Sequence, residues 1–293
     1  MIGIIGGTGL GEALAKSEQG ELLNVDTPFG SPSGPYLVTK WEGTDVAFLN
    51  RHGDGHVINP SSVPYRANVF GLKKLGVTTI IASGATGSLR EEIRPGQLVV
   101  CDQVIDKTCR RASTFFDEGM AVHVELADPF CPRLREAILS VTNSVDTVVH
   151  PRGTYVCMEG PQFSTRAESH MHRAWGGDLI GMTCMPEAKL AREAEMAYAL
   201  IALPTDYDCW RPHDGAGSKQ TLLEEIIGNL QRASQNAIAL IRATVAKLAK
   251  EPLADCPAWS ALELAIWSDK KTVDPAVTER LRPLIGRYFA DNS

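Results

Sequence analysis

A chain of 293 residues and 31.7 kDa is long enough to bury a large core, as one α/β domain or as a domain with an appendage. Hydrophobic residues at 44% and charged residues at 22% describe an ordinary soluble globular protein, and a formal net charge of −6 speaks against a nucleic-acid binder, which would present a basic face. An anionic substrate must then be attracted by local groups. No apolar run approaches the roughly 20 residues of a membrane span, and the MIGIIGGTGLG start has no signal-peptide pattern. Seven scattered cysteines without a CxxC pair fit a reducing cytoplasm, with no structural zinc and no disulfide framework.

In chain order, residues 2–5 read as a short apolar strand followed at once by GGTGLG. Glycines after a strand permit close backbone approach to a phosphate, and Thr8 adds a hydroxyl. The spacing is neither the dinucleotide fingerprint nor a P-loop, so a plain tight turn is an equal reading. Residues 35–40 and 45–49 read as a hairpin about Glu42-Gly43-Thr44. Arg51 and His52 follow the second strand. Two glycines in the next residues exclude a helix, so His52 and His56 are not a metal pair, whereas the Arg51 fork suits an oxyanion.

Ser62 and Pro64 open a helix that Gly76 stops. Residues 77–82 form a buried strand running into SGATGSL, where small residues at a strand end leave backbone N–H groups free for an anion. Three strand ends thus each offer an anion-binding feature. Residues 97–105 read as one strand, 106–125 as an irregular excursion with His123 near its end, and 132–141 as a helix. A strand at 153–158 leads to EGPQFS and a helix through Trp175; a short strand at 178–182 leads to a helix with Pro186 near its start. A long amphipathic helix spans 221–248, and two shorter helical patterns finish the chain. Strands alternating with helices indicate an α/β fold with a mixed or parallel sheet.

The stretch IALPTDYDCW, 201–210, carries the most chemistry. Its apolar start reads as the end of a strand covered on both faces. Thr205, Asp206 and Asp208 then follow at the carboxyl end, where open α/β sheets bind ligands. In extended backbone Asp206 and Asp208 share a face, able to receive N–H donors or to transfer a proton. A solvated turn is the bland alternative.

Together GGTGL, RHG…H…NP…V-Y-RAN, GSLREEI-PG, DPFCP, MEGPQFSTRAES, GMT-MPEA-LAREAEM-YA and TDYDCW resemble the methylthioadenosine phosphorylase branch of the trimeric purine nucleoside phosphorylase family, over roughly residues 1–247. The resemblance implies a central mixed β-sheet flanked by helices. It divides the chain into a nucleoside phosphorylase domain at 1–250 and a helical C-terminal extension at 251–293, packed on the domain or on a neighbouring subunit. It implies a homotrimer, with a hexamer as the alternative, and the reaction of 5′-methylthioadenosine with phosphate to give adenine and 5-methylthioribose 1-phosphate.

Carried over by motif, Thr8, Arg51, His52, Ala85 and Thr183 bind phosphate, Met182 packs on the ribose, and His123 lies near the 5′ substituent. Phe163 and Ser164 line the purine, and Thr205, Asp206 and Asp208 hold its hydrogen-bonding edge. No cofactor and no metal are implied, phosphate being a co-substrate. Asp206, protonated through burial, gives a proton to N7 while Asp208 accepts from the 6-amino group. Two departures stand out. Gly84 occupies a place where many relatives have Thr or Ser, leaving open whether Ser83 replaces that hydroxyl, and the 212–220 segment is Gly-rich.

A 6-oxopurine phosphorylase is the nearest competing reading, but those relatives carry Glu at the Ser164 position and Asn at the Asp206 position. Adenosine and 5′-deoxyadenosine remain alternative substrates. A nucleotide-binding oxidoreductase is set back by the failed glycine fingerprint, and a non-catalytic nucleoside-binding module is the third reading. The apolar face of Val277, Leu281, Leu284, Ile285 and Tyr288 must be buried, on its own subunit or over a 5′ pocket at a subunit boundary.

Overall fold

The structure, a computed structural model, describes residues 1–7, 9–10, 19–211 and 219–289. The Thr8 assignment and most of the 212–220 segment lie outside the described residues. An eleven-stranded mixed sheet forms the centre. Its first strand, β1 (Ile2–Gly6), lies parallel to β4 (Thr44–Asn50) on one side and to β5 (Thr79–Ser88) on the other. The edge is built by β2 (Glu21–Leu23) and β3 (Tyr36–Trp41), the latter joined to β4 by a tight turn. Glu42 and Gly43 both have positive φ (49° and 80°), the backbone that a two-residue hairpin turn requires.

Alternating side chains explain why both faces are covered. Along β11 (Ala197–Tyr207), Ala197, Ala199, Ile201 and Leu203 enter one apolar cluster while Tyr198, Leu200 and Ala202 enter the other. One face is covered by α2 (Pro132–Leu139) and the long α5 (Lys219–Lys250), through Leu134, Ile138, Ala237, Leu240 and Ile241. The other face is covered by α1 (Tyr65–Lys74), by α4 (Cys184–Glu193) and by the tail. Between them in sequence lies α3 (Arg166–Ala174), opened by a reciprocal cap: Thr165 Oγ1 accepts the Glu168 N–H at 3.2 Å, and Glu168 Oε2 accepts the Thr165 N–H at 2.8 Å.

Three elements differ from the sequence reading. First, SGATGS is no loop: β5 runs through it because β11 pairs with it along its whole length, from Ala197↔Thr79 to Tyr207↔Ser88. Second, β11 does not stop with its apolar run. It continues through Tyr207 by way of a register shift between Pro204 and Asp206, a bulge that re-aims the chain at the sheet's end. Third, the strand expected at 97–105 is two. The first, β6 (Leu98–Val100), pairs with β11 and with β8 (Val149–His150); the second, β7 (Gln103–Asp106), pairs with β9 (Thr154–Cys157). At the break, Asp102 Oδ1 accepts the Gly153 N–H at 2.9 Å.

The last sheet member, β10 (Leu179–Gly181), pairs with the far end of β5, Leu179↔Ser88 and Ile180↔Gly87, while β1 reaches only to Ala82. Residues 83–86 of β5 therefore have β11 on one edge and no ladder partner on the other among the described residues. This is where the sheet opens.

The tail contains α6 (Pro275–Arg280) and α7 (Arg282–Ile285). Leu281, Leu284 and Ile285 are buried in the same cluster as Ile5, Tyr36 and Phe70, so the tail packs on its own chain. Glu195 Oε1 accepts the Leu262 N–H at 3.0 Å, Arg287 Nη2 at 2.7 Å and the Tyr288 hydroxyl at 2.6 Å, pinning both ends of the tail to one carboxylate. Leu281→Ala should lower stability by about 2–5 kcal/mol, the range for emptying a buried Leu site. A shift in the urea midpoint measures it, and an unchanged midpoint would mean the tail is not part of the core. Among the described residues no helix is long and apolar enough to cross a membrane.

Candidate active site

The opening in the sheet collects the first group of candidate residues. A side chain could not replace Gly7: a Cβ there would meet Arg51 Nη1 and Ser83 O, each at 2.9 Å, and Gly84 Cα at 3.2 Å. The glycine is thus what lets the ends of β1, β4 and β5 converge. Similarly, a Cβ on Gly84 would lie 3.2 Å from Thr183 Oγ1. Arg51, Gly84 and Thr183 are therefore brought together, with Ala85 half-buried next in β5. Flanking that pair, Ser83 Oγ and Thr86 Oγ1 are buried with no hydrogen-bond partner. Buried hydroxyls in native proteins are normally paired, so these two at a break in the sheet are candidate contacts for a ligand's oxygens.

Arg51 is wholly buried and arrives with its counter-ion. Nε and Nη2 donate to Glu187 Oε2 and Oε1, both at 2.8 Å, and Nη1 donates to Ser83 O at 2.9 Å. Glu187 Oε1 also accepts the Tyr198 hydroxyl at 2.8 Å. Three of the five guanidinium N–H groups are used, leaving one on each Nη. Glu187 was given no role from sequence. The available signal was a carboxylate among Met185, Pro186, Ala188, Leu190 and Ala191 of a buried helix, which requires a cation.

His52 is buried, its ring stacked on His56 at 4.2 Å and its Nδ1 held 2.8 Å from Ile58 O. Burial first, and then the Arg51 charge, push its pKa down to about 4. Since the carbonyl can only accept, Nδ1 carries the proton of the neutral ring and Nε2 presents a lone pair. The unfolded chain takes up this proton near pH 6.5 and the folded chain does not. His52 therefore contributes stability above that pH, which is lost as pH falls toward 4. His52→Gln should flatten the stability profile between pH 6.5 and 4 in urea titrations; an unaltered slope would refute a neutral His52.

The second group stands where β11 ends. Thr205 Oγ1 donates to Asp206 Oδ1 at 2.9 Å, and Thr205 O accepts from Asn229 Nδ2 on α5 at 2.8 Å. The Asp208 N–H donates to Ser88 O at 3.0 Å, which carries Asp208 past the end of β5. Asp208 is buried and its Oδ2 has no hydrogen-bond partner, while Asp206 is only half-buried. The burial expected for Asp206 thus falls on its neighbour, because the bulge at Thr205 turns the end of the strand. Cys209 Sγ donates to Ser164 O at 3.3 Å, joining the loop before α3 to this strand end. Ser164 is brought in; Phe163 beside it is 85% exposed.

Between the groups lies Met182, whose sulfur runs over Gly160: a Cβ there would stand 2.5 Å from it. Its carbonyl is held by Arg111, a second residue that sequence reasoning passed over. Arg111 Nη1 donates to Met182 O at 2.5 Å and to Met185 O at 2.6 Å, and Nη2 donates to Glu159 O at 2.6 Å. Glu159 accepts in turn from Ser61 Oγ at 2.6 Å and the Cys109 N–H at 2.6 Å. One buried ion pair thereby fastens four loops around the opening. His123 stands apart from these groups. Its N–H donates to Ala265 O at 2.9 Å and its ring packs on Trp267 at 4.7 Å, both in the tail.

The Phosphorylase superfamily profile matches residues 1–246. The chain belongs to this superfamily. It is similar to the S-methyl-5′-thioadenosine phosphorylase of Koribacter versatilis, 46% identical over 291 residues covering 99% of this chain and 97% of that protein. The Synechocystis enzyme of the same name is 47% identical over 98% of this chain and 87% of its own length. Among solved structures, a methylthioadenosine phosphorylase from an antarctic soil metagenomic library superposes with a TM-score of 0.86 at 44% identity, covering 97% of this chain and 98% of that one. A mutant adenosine/methylthioadenosine phosphorylase from Schistosoma mansoni, in complex with adenine, superposes with a TM-score of 0.81 at 34% identity, covering 89% and 95%. This phosphorylase-superfamily chain therefore shares its fold with those enzymes over nearly its full length.

Proposed function

We propose that this chain is an S-methyl-5′-thioadenosine phosphorylase, a pentosyltransferase converting 5′-methylthioadenosine and phosphate to adenine and 5-methylthioribose 1-phosphate. One observation carries the reading. The opening beside residues 83–86 has anion-binding groups at Gly84, and the carboxylate Asp206 aligned with Gly87 on the next strand. Three residues of parallel strand separate the two levels, about 10 Å, room for a ribose between a phosphate and a purine. Similarity to enzymes of this name over nearly the whole chain supports the same assignment.

The chemistry follows from the groups. Breaking the bond from C1′ to the purine builds positive charge on the ribose, and a phosphate held beneath it by Arg51, Gly84, Ala85 and Thr183 stabilises that charge. Because Glu187 already balances Arg51, the anion site works through directed N–H and O–H donors more than through net charge. A neutral His52 can accept a hydrogen bond from the P–OH of hydrogenphosphate at Nε2. The departing purine needs a proton at N7, which we assign to Asp206. The unpartnered Oδ2 of Asp208 suits the 6-amino N–H. Met182 would pack on the ribose and Ser164 and Phe163 on the purine; His123, which stands apart on the tail in this chain, would come near a 5′ substituent only across a subunit boundary; no cofactor or metal is required.

Phe163, Leu264 and Trp267 are large apolar side chains left mostly exposed. Such surfaces mark places a partner covers, which supports a homotrimer closing the site at a subunit boundary. We assign the reaction to purine and methionine salvage in the cytoplasm. Release of free base should be measured in phosphate buffer, as adenine from methylthioadenosine, adenosine and 5′-deoxyadenosine and as hypoxanthine from inosine. Methylthioadenosine should be cleaved fastest and inosine slowest; preference for inosine would assign the site to 6-oxopurines instead.

A further inference from the structure

The sulfurs of Cys131 and Cys256 lie 2.9 Å apart inside the fold, although 125 positions separate them in the chain. Both side chains are buried in the apolar cluster on the α5 face. They stand where two parts of the chain meet. Cys131 immediately precedes α2, and its N–H donates to Tyr198 O on β11 at 2.8 Å. Cys256 opens the short turn Pro257–Ser260 at the root of the tail. A disulfide bond measures about 2.0 Å, so joining these sulfurs asks for a movement of under ~1 Å.

We propose that Cys131 and Cys256 form a redox modification site: an oxidant of the peroxide class joins them in a disulfide that fastens the root of the C-terminal tail to the start of α2. Of the two, Cys131 is the nucleophile. The hydrogen bond from the Cys256 thiol holds the Cys131 thiol below its ordinary pKa; burial opposes this, and the Leu134 and Arg133 N–H groups at the start of α2 assist it. The same contact pushes Cys256 up.

The Cys131 thiolate attacks one peroxide oxygen. An S–O bond forms, the O–O bond breaks, and the departing hydroxide takes up a proton to leave as water. The Cys256 sulfur then attacks the sulfenic sulfur. The S–S bond forms as the S–O bond breaks, and the released hydroxide leaves as water with the Cys256 proton. Two electrons pass from the thiols to one peroxide, giving one disulfide and two waters. The other cysteines are poorer candidates: burial pushes up the thiols of Cys101, Cys157 and Cys184. Cys109 is exposed, so the readout must be residue-specific.

The full chain, treated with hydrogen peroxide, should be alkylated with N-ethylmaleimide in denaturant and digested with trypsin without reduction. Peptide 112–133 should be recovered linked to peptide 251–270, each of which contains one cysteine. Both alkylations should be lost together and restored by dithiothreitol. The oxidised protein should melt at a higher temperature than the reduced one, because the bond closes a long loop in the unfolded chain. Cys256→Ser should give no linked peptide, and its Cys131 should be trapped as a sulfenic acid by dimedone. Full alkylation of both Cys131 and Cys256 after peroxide treatment, or Cys131 linked to a different cysteine, would overturn the proposal.

Discussion

Asp206→Asn should lower kcat for methylthioadenosine by about 10²–10⁴-fold, the usual range for losing a general acid. Asn can still donate a hydrogen bond to N7 but cannot transfer a proton. KM should move much less, since Thr205 and Asp208 keep their places through Asn229 and the Ser88 carbonyl. The same substitution should raise relative activity on inosine, because an amide N–H can also donate to a 6-oxo group that an ionised Asp208 repels. Adding Ser164→Glu, an acceptor for N1–H, should extend that gain. Steady-state kinetics on both nucleosides checks this. Near-normal turnover of methylthioadenosine by Asp206→Asn would remove Asp206 as the proton donor.

Arg51→Ala carries two expected effects that must be separated. Its side chain is the buried cation paired with Glu187, and removing it leaves a buried carboxylate with the Tyr198 hydroxyl. Breaking such a pair from one side costs about 3–5 kcal/mol, so the urea midpoint should fall sharply. Loss of a charge-assisted contact worth about 1.5–3 kcal/mol should also raise the phosphate KM on the order of 10–100-fold. Arg51→Lys keeps the positive charge but cannot reproduce the planar fork. It should recover part of the stability while leaving the phosphate KM high. An unchanged phosphate KM in a folded variant of either kind would place the anion elsewhere.

Residues close in sequence made much of this protein readable. The unbroken apolar runs of β1 and β11, the glycine that ends α1 and the long apolar stripe of α5 are local patterns with local causes. The two strand-end segments GGTGLG and SGATGSL, together with Arg51, pointed to a candidate anion site through the chemistry of glycine and guanidinium. What was not legible depends on partners far away. SGATGS looked like a strand end because its small residues have weak strand preference, and β11 lying beside it, with β10 at Gly87 and Ser88, makes it a strand. The break within 97–105 comes from a change of neighbouring strand, which no local pattern announces. Arg51 and Glu187 are 136 positions apart, and although a carboxylate on a buried helix calls for a cation, nothing local names Arg51 as that cation. Arg111 lies in a stretch read only as an irregular excursion, yet its side chain is the buried tie beneath Met182.

The central claim is that bond cleavage at C1′ is carried out by phosphate lying in the opening beside Gly84 and Ala85. Following the methylthioadenosine reaction by ³¹P NMR tests it most directly, with inorganic phosphate present and with phosphate-free buffer as the control. The expected result is a sugar 1-phosphate signal growing in step with free adenine, and no adenine without phosphate or arsenate. Equal adenine release in phosphate-free buffer, with no phosphate ester formed, would make water the acceptor and contradict the assignment.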